Sequence, residues 1–242
     1  LSIIGTSATN YILVAPTSTA NITAATLTVT VSGTNKVYDG NTSATVTYSD
    51  NRIAADTFTA AGTANLNNKT VGNSKLVTVT GITLSGLDAA NYTLSSTTAT
   101  TTANITKKDM TVTAVSSGKV YDATVIASTT LSSSDKVSGD LVTYNRTSSN
   151  FSDKNVGVAK TVTTGGITIS GADAPNYNLL NSTTTSVADI TPRFLVVTPT
   201  AVSKVYDSNT SAAISALSSN VIAGDTIGTL GSASANFIDK NV

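Results

Sequence analysis

The chain repeats itself, and this repetition constrains its fold more than any other feature of its 242 residues. The tetrapeptide Lys-Val-Tyr-Asp starts at Lys36, Lys119 and Lys204, at offsets of 83 and 85 residues. Four further landmarks keep the same order and spacing: Asn-Tyr-x-Leu from residues 10, 91 and 176, Ile-Thr from 22, 105 and 190, Lys-x-Val from 69, 154 and 240, and Gly-Ile-Thr-x-Ser-Gly from 81 and 166. Several landmarks in one order at one period indicate tandem copies of a single structural unit.

The landmarks divide the chain into a tail, two complete copies and a partial copy. Residues 1–21 correspond to the end of a copy, residues 22–104 and 105–189 are complete copies, and residues 190–242 are a truncated copy. We expect each complete copy to bury its own core and to contact its neighbours in a linear array. Because the chain begins without a basic-then-apolar leader, we interpret it as a piece of a longer protein.

Within a copy, apolar and polar residues alternate with a period of two. Leu27, Val29 and Val31 alternate with threonines, and Met110 and Val112 do so at the matching place in the next copy. Such alternation predicts half-buried strands. No segment has helical periodicity, and Asp, Asn and Gly separate the apolar runs at turn spacing. The pattern predicts an all-β fold with roughly six or seven short strands per copy, which suits a small β-sandwich.

Gly81 lies where the alternation changes phase. Val77 and Val79 precede it in one phase, and Ile82 and Leu84 follow it in the other. A glycine at a phase change within a strand predicts a bulge or a bend at that point.

The segment from Asp88 to Leu94 favours an immunoglobulin-like form of the sandwich. It has the form Asp-x-Ala-x-Tyr-x-apolar. Antibody domains carry Asp-x-Ala-x-Tyr-x-Cys at a tyrosine corner, where the phenol ties a strand to an upstream loop. Leu94 and Leu179 would replace the cysteine, and Pro175 stands where the pattern has Ala. The prediction is therefore a linear array of immunoglobulin-like modules, with a β-grasp fold as an open alternative because the copies are shorter than about 100 residues.

The composition removes most catalytic side chains. All fourteen acidic residues are Asp, and the chain has no Glu, Gln, His, Cys or Trp. Without His and Cys it can form no imidazole base, no Ser-His-Asp triad and no thiolate site. The aspartates recur from copy to copy, which suits a scaffold better than a single active site. We therefore predict no enzymatic activity, no catalytic residue and no cofactor.

The charge balance and the apolar runs exclude two classes of partner. Fourteen Lys and Arg residues balance the fourteen Asp residues, so the chain lacks the basic footprint of a nucleic-acid-binding protein. No apolar run approaches the ~20 residues that a transmembrane helix needs. The predicted partners are neighbouring repeats and identical chains, not nucleic acid or a membrane interior.

Taken together, the motifs resemble a known family. The family pattern runs Lys-x-Tyr-Asp-Gly, Asn-Val-Gly, a Val-Thr-rich strand, Gly-Ile-x-Leu-Ser-Gly and Asp-Ala-x-Asn-Tyr-x-Leu. Residues 36–40, 71–72, 76–86 and 88–94 fit it closely, and residues 119–122, 155–157, 166–171 and 173–179 fit it nearly as well. This order resembles the YDG-type repeat of large secreted bacterial adhesins, often filamentous-haemagglutinin-like proteins. The resemblance implies an extracellular cell-surface protein without enzymatic activity. It names no host or matrix ligand.

The glycine of the Lys-x-Tyr-Asp-Gly motif is retained in only one copy. Gly40 holds the position in the first copy, whereas Ala123 and Ser208 hold it in the later copies. Because Ala and Ser carry a Cβ atom, we expect this turn not to require a positive φ.

The recurring Tyr-Asp pairs have two interpretations. A glycan site would stack a sugar on the phenol and bind its hydroxyls through the carboxylate, whereas a structural site would bury the ring and cap a turn with Asp. The structural interpretation is favoured for the pairs at Tyr38, Tyr121 and Tyr206, and likewise for the tyrosines of the second motif: Tyr11, Tyr92 and Tyr177.

Two further hypotheses concern stabilising chemistry. Calcium needs six to eight oxygen ligands, and Asp50 with Asp56, or Asp135 with Asp140, could contribute to an interdomain site. Asp225, Asp88 and Asp173 also recur without forming an Asp-x-Asp-x-Asp run. A Lys–Asn isopeptide bond could join Lys36 or Lys69 to Asn91, with an Asp as promoter in the absence of Glu.

The main functional hypothesis is mechanical. Ile105 to Asp109 pass directly into the next predicted strand without a Gly/Ser hinge, so the array should be a semi-rigid stalk. The first alternative is a filament, in which residues 1–21 of one chain complete the partial copy of another by β-strand addition. The second alternative is an array of glycan-binding modules.

Overall fold

Strands rather than helices follow from the alternation of apolar and hydroxyl side chains. The computed structural model describes residues 1–228, 234–239 and 241. The regular elements of these residues are β-strands and three 3₁₀ turns, at Ala8–Asn10, Ala89–Asn91 and Ala174–Asn176. The predicted all-β class is confirmed. The chain divides into two compact units, Leu1–Thr106 and Lys107–Val242.

The first unit holds eight strands in three sheets. They are β1 (Ala25–Leu27), β2 (Val29–Gly33), β3 (Lys36–Val37), β4 (Val46–Asp50), β5 (Thr59–Leu66), β6 (Gly72–Ser85), β7 (Tyr92–Leu94) and β8 (Ala99–Thr106). A four-stranded sheet has the order β3-β8-β6-β5, with β3 parallel to β8 and the other pairs antiparallel. β1 pairs with β7 in parallel, and β2 pairs with β4 in antiparallel register. Residues 1–21 contain a 3₁₀ turn and no strand.

The long strand β6 bends at the phase change seen in the sequence. Gly81 has a φ of +64°, and the buried side chains are Val77 and Val79 before it and Ile82 after it. Residues before the bend pair with β8, and β5 pairs along both sides of it. The predicted bend is confirmed. Gly166 has the same φ of +64° at the equivalent place in the second unit.

The second unit repeats this arrangement, with two shorter strands in place of each of β5 and β6, and also contains three strands of the partial copy. Its strands are β9 (Lys108–Met110), β10 (Thr113–Ser117), β11 (Lys119–Val120), β12 (Ser128–Ser132), β13 (Thr143–Asn145), β14 (Ser148–Phe151), β15 (Gly157–Gly165), β16 (Thr168–Ser170), β17 (Tyr177–Leu179), β18 (Thr183–Thr191), β19 (Val197–Val202), β20 (Ser211–Ser219) and β21 (Ala235–Asn236). Its four-stranded sheet has the order β11-β18-β15-β14, and β9 pairs with β17 in parallel. β10 pairs with β12, β13 pairs with β16, and β19, β20 and β21 form a separate sheet.

Each complete copy has a small core made where the inward faces of its strands meet. In the first copy Leu27, Phe58 and Tyr92 pack together. In the second copy Phe151 and Val162 pack with Ala127, Ala188 and Ile190. Phe151 occupies the position of Leu66 in the first copy, and both side chains are buried, so this core position accepts an aromatic or an aliphatic residue.

Candidate functional site

The Lys-Val-Tyr-Asp motif forms a capped turn. In the first copy Lys36 Nζ lies 2.8 Å from Asp39 Oδ1, and that oxygen accepts the N–H of Asn41 at 3.1 Å. The other two copies repeat both contacts, with Lys119–Asp122 at 2.7 Å, Lys204–Asp207 at 2.8 Å, and the N–H groups of Thr124 and Asn209 as donors. The hydrogen bond from the lysine lowers the pKa of Asp122 to about 2. The capping role predicted for these aspartates is confirmed.

The residue after each capping aspartate is left-handed, so the expectation of an ordinary φ was wrong. Gly40 has a φ of +79°, Ala123 of +61° and Ser208 of +66°. This residue lies between the carboxylate and the N–H that the carboxylate accepts, and the lysine holds the carboxylate in place. The turn therefore imposes its geometry on whichever residue stands there, at a cost of about 1–2 kcal/mol when that residue has a Cβ atom.

The three tyrosines of this motif differ in exposure. Tyr38 is buried, and Tyr121 is half-buried against the core of the second copy. Tyr206 is 55% exposed. A glycan can stack only on an open ring face, so the three positions do not offer equivalent stacking sites.

The tyrosines of the second motif form corners that tie a strand to an upstream loop. Tyr92 Oη accepts the N–H of Ile53 at 2.9 Å and donates to Asp56 Oδ2 at 2.5 Å. Tyr177 Oη accepts the N–H of Val137 at 2.9 Å and donates to Asp140 Oδ2 at 2.6 Å. The hydrogen bond to Asp56 raises the pKa of Tyr92. The predicted role of these phenols is observed in both complete copies.

A second carboxylate supports each of these corner loops. Asp88 Oδ2 accepts the N–H of Thr57 at 2.8 Å, and Asp173 Oδ2 accepts the N–H of Leu141 at 2.9 Å. Each acceptor precedes a 3₁₀ turn that leads into the corner tyrosine. In each complete copy, one aspartate therefore bonds to the corner phenol, and another bonds to the backbone of the loop that the phenol holds.

The carboxylates considered for calcium bond to protein groups instead. Asp50 accepts two hydrogen bonds from the Arg52 guanidinium, at 2.8 and 2.7 Å, and this interaction lowers the pKa of Asp50. Asp135 accepts the N–H of Thr111 at 2.9 Å. Within the described part of the chain, no three acidic, His or Cys side chains form a group that could hold a metal ion.

Lys36 has a different amide partner from the one considered for an isopeptide bond. Its Nζ atom lies 3.0 Å from Asn41 Oδ1 and 2.8 Å from the carbonyl oxygen of Ser43. Asn91 is exposed and ends a 3₁₀ turn. The structure therefore does not pair Lys36 with Asn91.

The side chains that join the second and third copies were not predicted from the sequence, although a contact between neighbouring copies was expected. Tyr121 Oη donates to Asp225 Oδ1 at 2.8 Å, and Lys154 Nζ donates to the same oxygen at 3.3 Å. The phenol lowers the pKa of Asp225, and the carboxylate raises the pKa values of Tyr121 and Lys154. All three residues belong to repeated motifs, but their recurrence alone does not indicate that they meet across a boundary between copies.

No helix among the described residues is long and apolar enough to cross a membrane.

Comparison with known proteins identifies the family of the repeat. The model of the YDG domain family matches residues 23–101, 106–186 and 191–242, each segment starting one residue after an isoleucine of the Ile-Thr landmark. No curated protein and no solved structure matches the chain. Because the three matched segments cover most of its length, the chain belongs to the YDG domain family.

Proposed function

We propose that the chain is a structural segment of a bacterial extracellular or cell-surface adhesin, in which tandem immunoglobulin-like modules form a semi-rigid stalk. The single observation that carries the proposal is that each of the fourteen aspartates accepts a hydrogen bond from another residue of the chain. The family membership and the composition, which is rich in Ser and Thr and poor in Lys, are the basis for proposing the extracellular location.

The fourteen aspartates fall into four structural groups. Six accept the N–H two residues further along the chain: Asp39, Asp50, Asp122, Asp153, Asp207 and Asp239. Four accept a backbone N–H far away in the sequence: Asp88, Asp135, Asp173 and Asp189. Asp56, Asp140 and Asp225 hold phenols, and Asp109 holds the amide of Asn178. Carboxylates engaged in this way stabilise turns and joints, which is the role expected of a load-bearing module.

Short connections between copies support a stalk. β8 ends at Thr106 and β9 begins at Lys108, so a single residue separates them. Five residues without glycine, 192–196, separate β18 from β19, and the first of them is Pro192. Glycine and serine make a linker flexible, and their absence from these links favours limited bending between copies.

Small-angle scattering of the whole chain tests the stalk. The matched control has six alternating Gly and Ser residues inserted after Lys107. We expect the wild-type chain to give an extended distance distribution with a defined maximum, and the control to give a broader ensemble of dimensions. Indistinguishable profiles from the two proteins would contradict the proposal. Protease shaving of intact source cells tests the location, because only a surface protein is cleaved.

A filament subunit is a second candidate function. In the complete copies β7 pairs with β1 and β17 pairs with β9. The corresponding segments, 11–13 and 193–195, belong to no strand, and Ile12 and Phe194 are 94% and 90% exposed. Parallel pairing of these segments between two chains would give a contact that does not close on itself. Electron microscopy should then show filaments for the whole chain and none for a variant lacking residues 1–21.

The glycan-binding alternative has less support. Its repeated site would use the Lys-Val-Tyr-Asp tyrosines, of which Tyr38 is buried and the phenol of Tyr121 already bonds to Asp225. A glycan array probed with the whole chain tests it. Binding that disappears in a Tyr206→Ala variant would favour the glycan site over the stalk.

A further inference from the structure

The second copy contains a chain of five hydrogen-bonded hydroxyls between its β10-β12 pair and its four-stranded sheet. Thr164 Oγ1 lies 2.5 Å from Ser149 Oγ, and Ser149 donates to Thr129 Oγ1 at 3.0 Å. Ser116 Oγ lies 2.8 Å from Thr129 Oγ1 and 2.7 Å from Ser186 Oγ. These five side chains form what we call the hydroxyl layer. It joins β10 and β12 to β14, β15 and β18.

One orientation of the hydrogens satisfies the whole layer. Ser149 donates to Thr129, so Thr164 is the donor to Ser149, and the remaining hydroxyls donate in the same direction. Three members of the layer, Thr129, Ser149 and Thr164, are buried. Loss of an inner member therefore leaves a buried neighbour without its partner, and such a loss destabilises a fold more than removal of both partners does.

The same positions are almost entirely apolar in the first copy. The corresponding cross-strand pairs are Gly33 with Val46, between β2 and β4, and Ala64 with Val79, between β5 and β6. They lie 83 or 85 residues before their counterparts in the second copy, which are the offsets of the sequence landmarks. The fifth position keeps a hydroxyl, Thr101, which accepts the N–H of Gly33 at 3.3 Å.

The partial copy is also apolar at these positions. Ala201 lies opposite Ile214 between β19 and β20, at the place of the first hydroxyl pair of the second copy. Ala235, in β21, stands at the place of Ser149. Along the chain, the hydroxyl layer is therefore preceded and followed by copies whose equivalent positions carry no such layer.

The two kinds of layer have similar shapes but different chemistry. Thr and Val differ by the exchange of a hydroxyl for a methyl group, and Ser and Ala differ by one oxygen, so a strand of one copy fits sterically into its neighbour. Pairing of β6 with β14 would place Val79 opposite Ser149 and remove the hydroxyl that donates to Ser149. Pairing of β15 with β5 would place Thr164 opposite Ala64 and leave the Thr164 hydroxyl without a partner.

We infer that the hydroxyl layer keeps the strands of the second copy from exchanging with those of its neighbours during folding. Copies of one repeat share their strand order and register, and exchange of equivalent strands is a characteristic failure of such proteins. Native pairing satisfies all five hydroxyls, whereas each exchanged pairing leaves at least one without its partner. The layer acts on the choice of partner strand rather than on overall stability. The inference does not depend on the proposed stalk function.

The test removes the chemistry of the layer and keeps its shape. Thr129→Val, Ser149→Ala and Thr164→Val are made together in the whole chain. The two remaining members of the layer still bond to each other. Because all the buried hydroxyls are removed as a set, the urea midpoint of this triple variant should stay the same or rise. Ser149→Ala alone should raise the unfolding equilibrium constant about tenfold, equivalent to about 1.4 kcal/mol.

The absence of cysteine from the sequence allows a specific readout of strand exchange. Asn150 lies opposite Thr163 between β14 and β15, and the equivalent of Thr163 in the first copy is Thr78. Asn150→Cys with Thr78→Cys therefore reports pairing of β14 with β6, and Asn150→Cys with Thr163→Cys reports native pairing. Each chain is refolded from urea, oxidised briefly and mapped by peptide mass spectrometry. The same Cys pair in protein that was never unfolded gives the background.

We expect the disulfide between residues 78 and 150 to stay at background with the natural layer and to rise at least about fivefold in the triple variant. Val46→Thr, Ala64→Ser and Val79→Thr, made together in the first copy, match the two copies in the opposite direction and should raise the same disulfide. This set gives a second test in case the triple variant unfolds, as checked by circular dichroism.

The two sets combined restore the difference between the copies and should return the disulfide to background. Background levels in a folded chain whose copies match would overturn the inference. A rise that persists when both sets are combined would also overturn it, because destabilisation rather than matching would then cause the exchange. If Ser149→Ala is no less stable than the triple variant, the layer does not penalise a missing partner, and the inference is wrong.

Discussion

Replacing Ala55 with glycine should stabilise the first unit. The N–H of Asp56 bonds to the carbonyl of Ile53 at 3.2 Å, which closes a turn whose third residue is Ala55 with a φ of +82°. The equivalent turns carry Gly139 with a φ of +88° and Gly224 with a φ of +93°. A positive φ at the third residue is the signature of a type II turn, where glycine is preferred. Ala55 is therefore the strained member of the three.

The expected gain follows from two opposing terms. A residue with a Cβ atom in the left-handed region costs about 1–2 kcal/mol relative to glycine. Glycine also makes the unfolded chain more flexible, which costs about 0.4–1 kcal/mol. The net stabilisation from Ala55→Gly should be about 0.5–1 kcal/mol, equivalent to roughly 2–6 °C in the melting temperature of a domain of this size.

Urea unfolding followed by far-ultraviolet circular dichroism, together with scanning calorimetry, measures the change. Gly139→Ala is the mirror experiment, because an added Cβ atom would meet no atom within 4 Å and only the backbone conformation is penalised. It should destabilise the second unit by a similar amount. Ala90→Gly, at an exposed site without a positive φ, should destabilise the first unit. If Ala55→Gly behaves like Ala90→Gly, the strain argument is wrong.

Three further predictions use the same unfolding assays. Tyr92→Phe leaves the N–H of Ile53 without its partner and should cost about 1–3 kcal/mol, whereas Tyr11→Phe, at a 71% exposed side chain, should leave stability unchanged. The pKa of Asp122 is about 2 in the folded state, below its ordinary value of 3.8. Its ion pair with Lys119 therefore stabilises the fold above about pH 4, and this stabilisation is lost as the pH falls toward 2. Asp122→Asn should flatten the pH dependence of the free energy of unfolding in that interval. Gly86→Ala should lower the free energy of unfolding by more than about 2 kcal/mol, which is well above the effect of Gly139→Ala. The added Cβ atom would lie 2.7 Å from Phe58 Cα and 2.8 Å from the Thr57 carbonyl oxygen, and the backbone at residue 86 has a φ of +134°.

Local patterns in the sequence were sufficient for the all-β class, for individual strands such as β2 and for the bend, but the predicted six or seven strands per copy are fewer than the eight of the first copy and the ten of the second. The alternation at Val29 and Val31 predicts β2, and the phase change at Gly81 predicts the bend in β6, because both effects depend only on neighbouring residues. The parallel pairing of β1 with β7 was not predictable in this way. It joins Ala25 to Tyr92, and no local pattern specifies a partner so far along the chain.

The contacts of the candidate sites were likewise predictable where they are local in the sequence and unpredictable where they are distant. Asp39 and its counterparts cap turns two residues away, so residue type and spacing indicate the contact. The bond between Tyr121 and Asp225 spans 104 residues and crosses from one copy to the next. The left-handed Ala123 was missed for another reason, because a Cβ atom argues against a positive φ unless the surrounding hydrogen bonds impose it.

The use of Asp at the six turn-capping positions follows from this same local geometry. A carboxylate one methylene from the backbone reaches the N–H two residues ahead and closes a turn, as Asp153 does with Asn155 at 2.7 Å. The longer side chain of Glu places its carboxylate beyond that N–H and must lose more rotamer freedom to return to it. Asn can replace Asp as the capping acceptor, and Asn68 does so with the N–H of Thr70 at 3.1 Å. Tight turns of this kind therefore favour Asp and Asn over Glu and Gln at the positions that cap them.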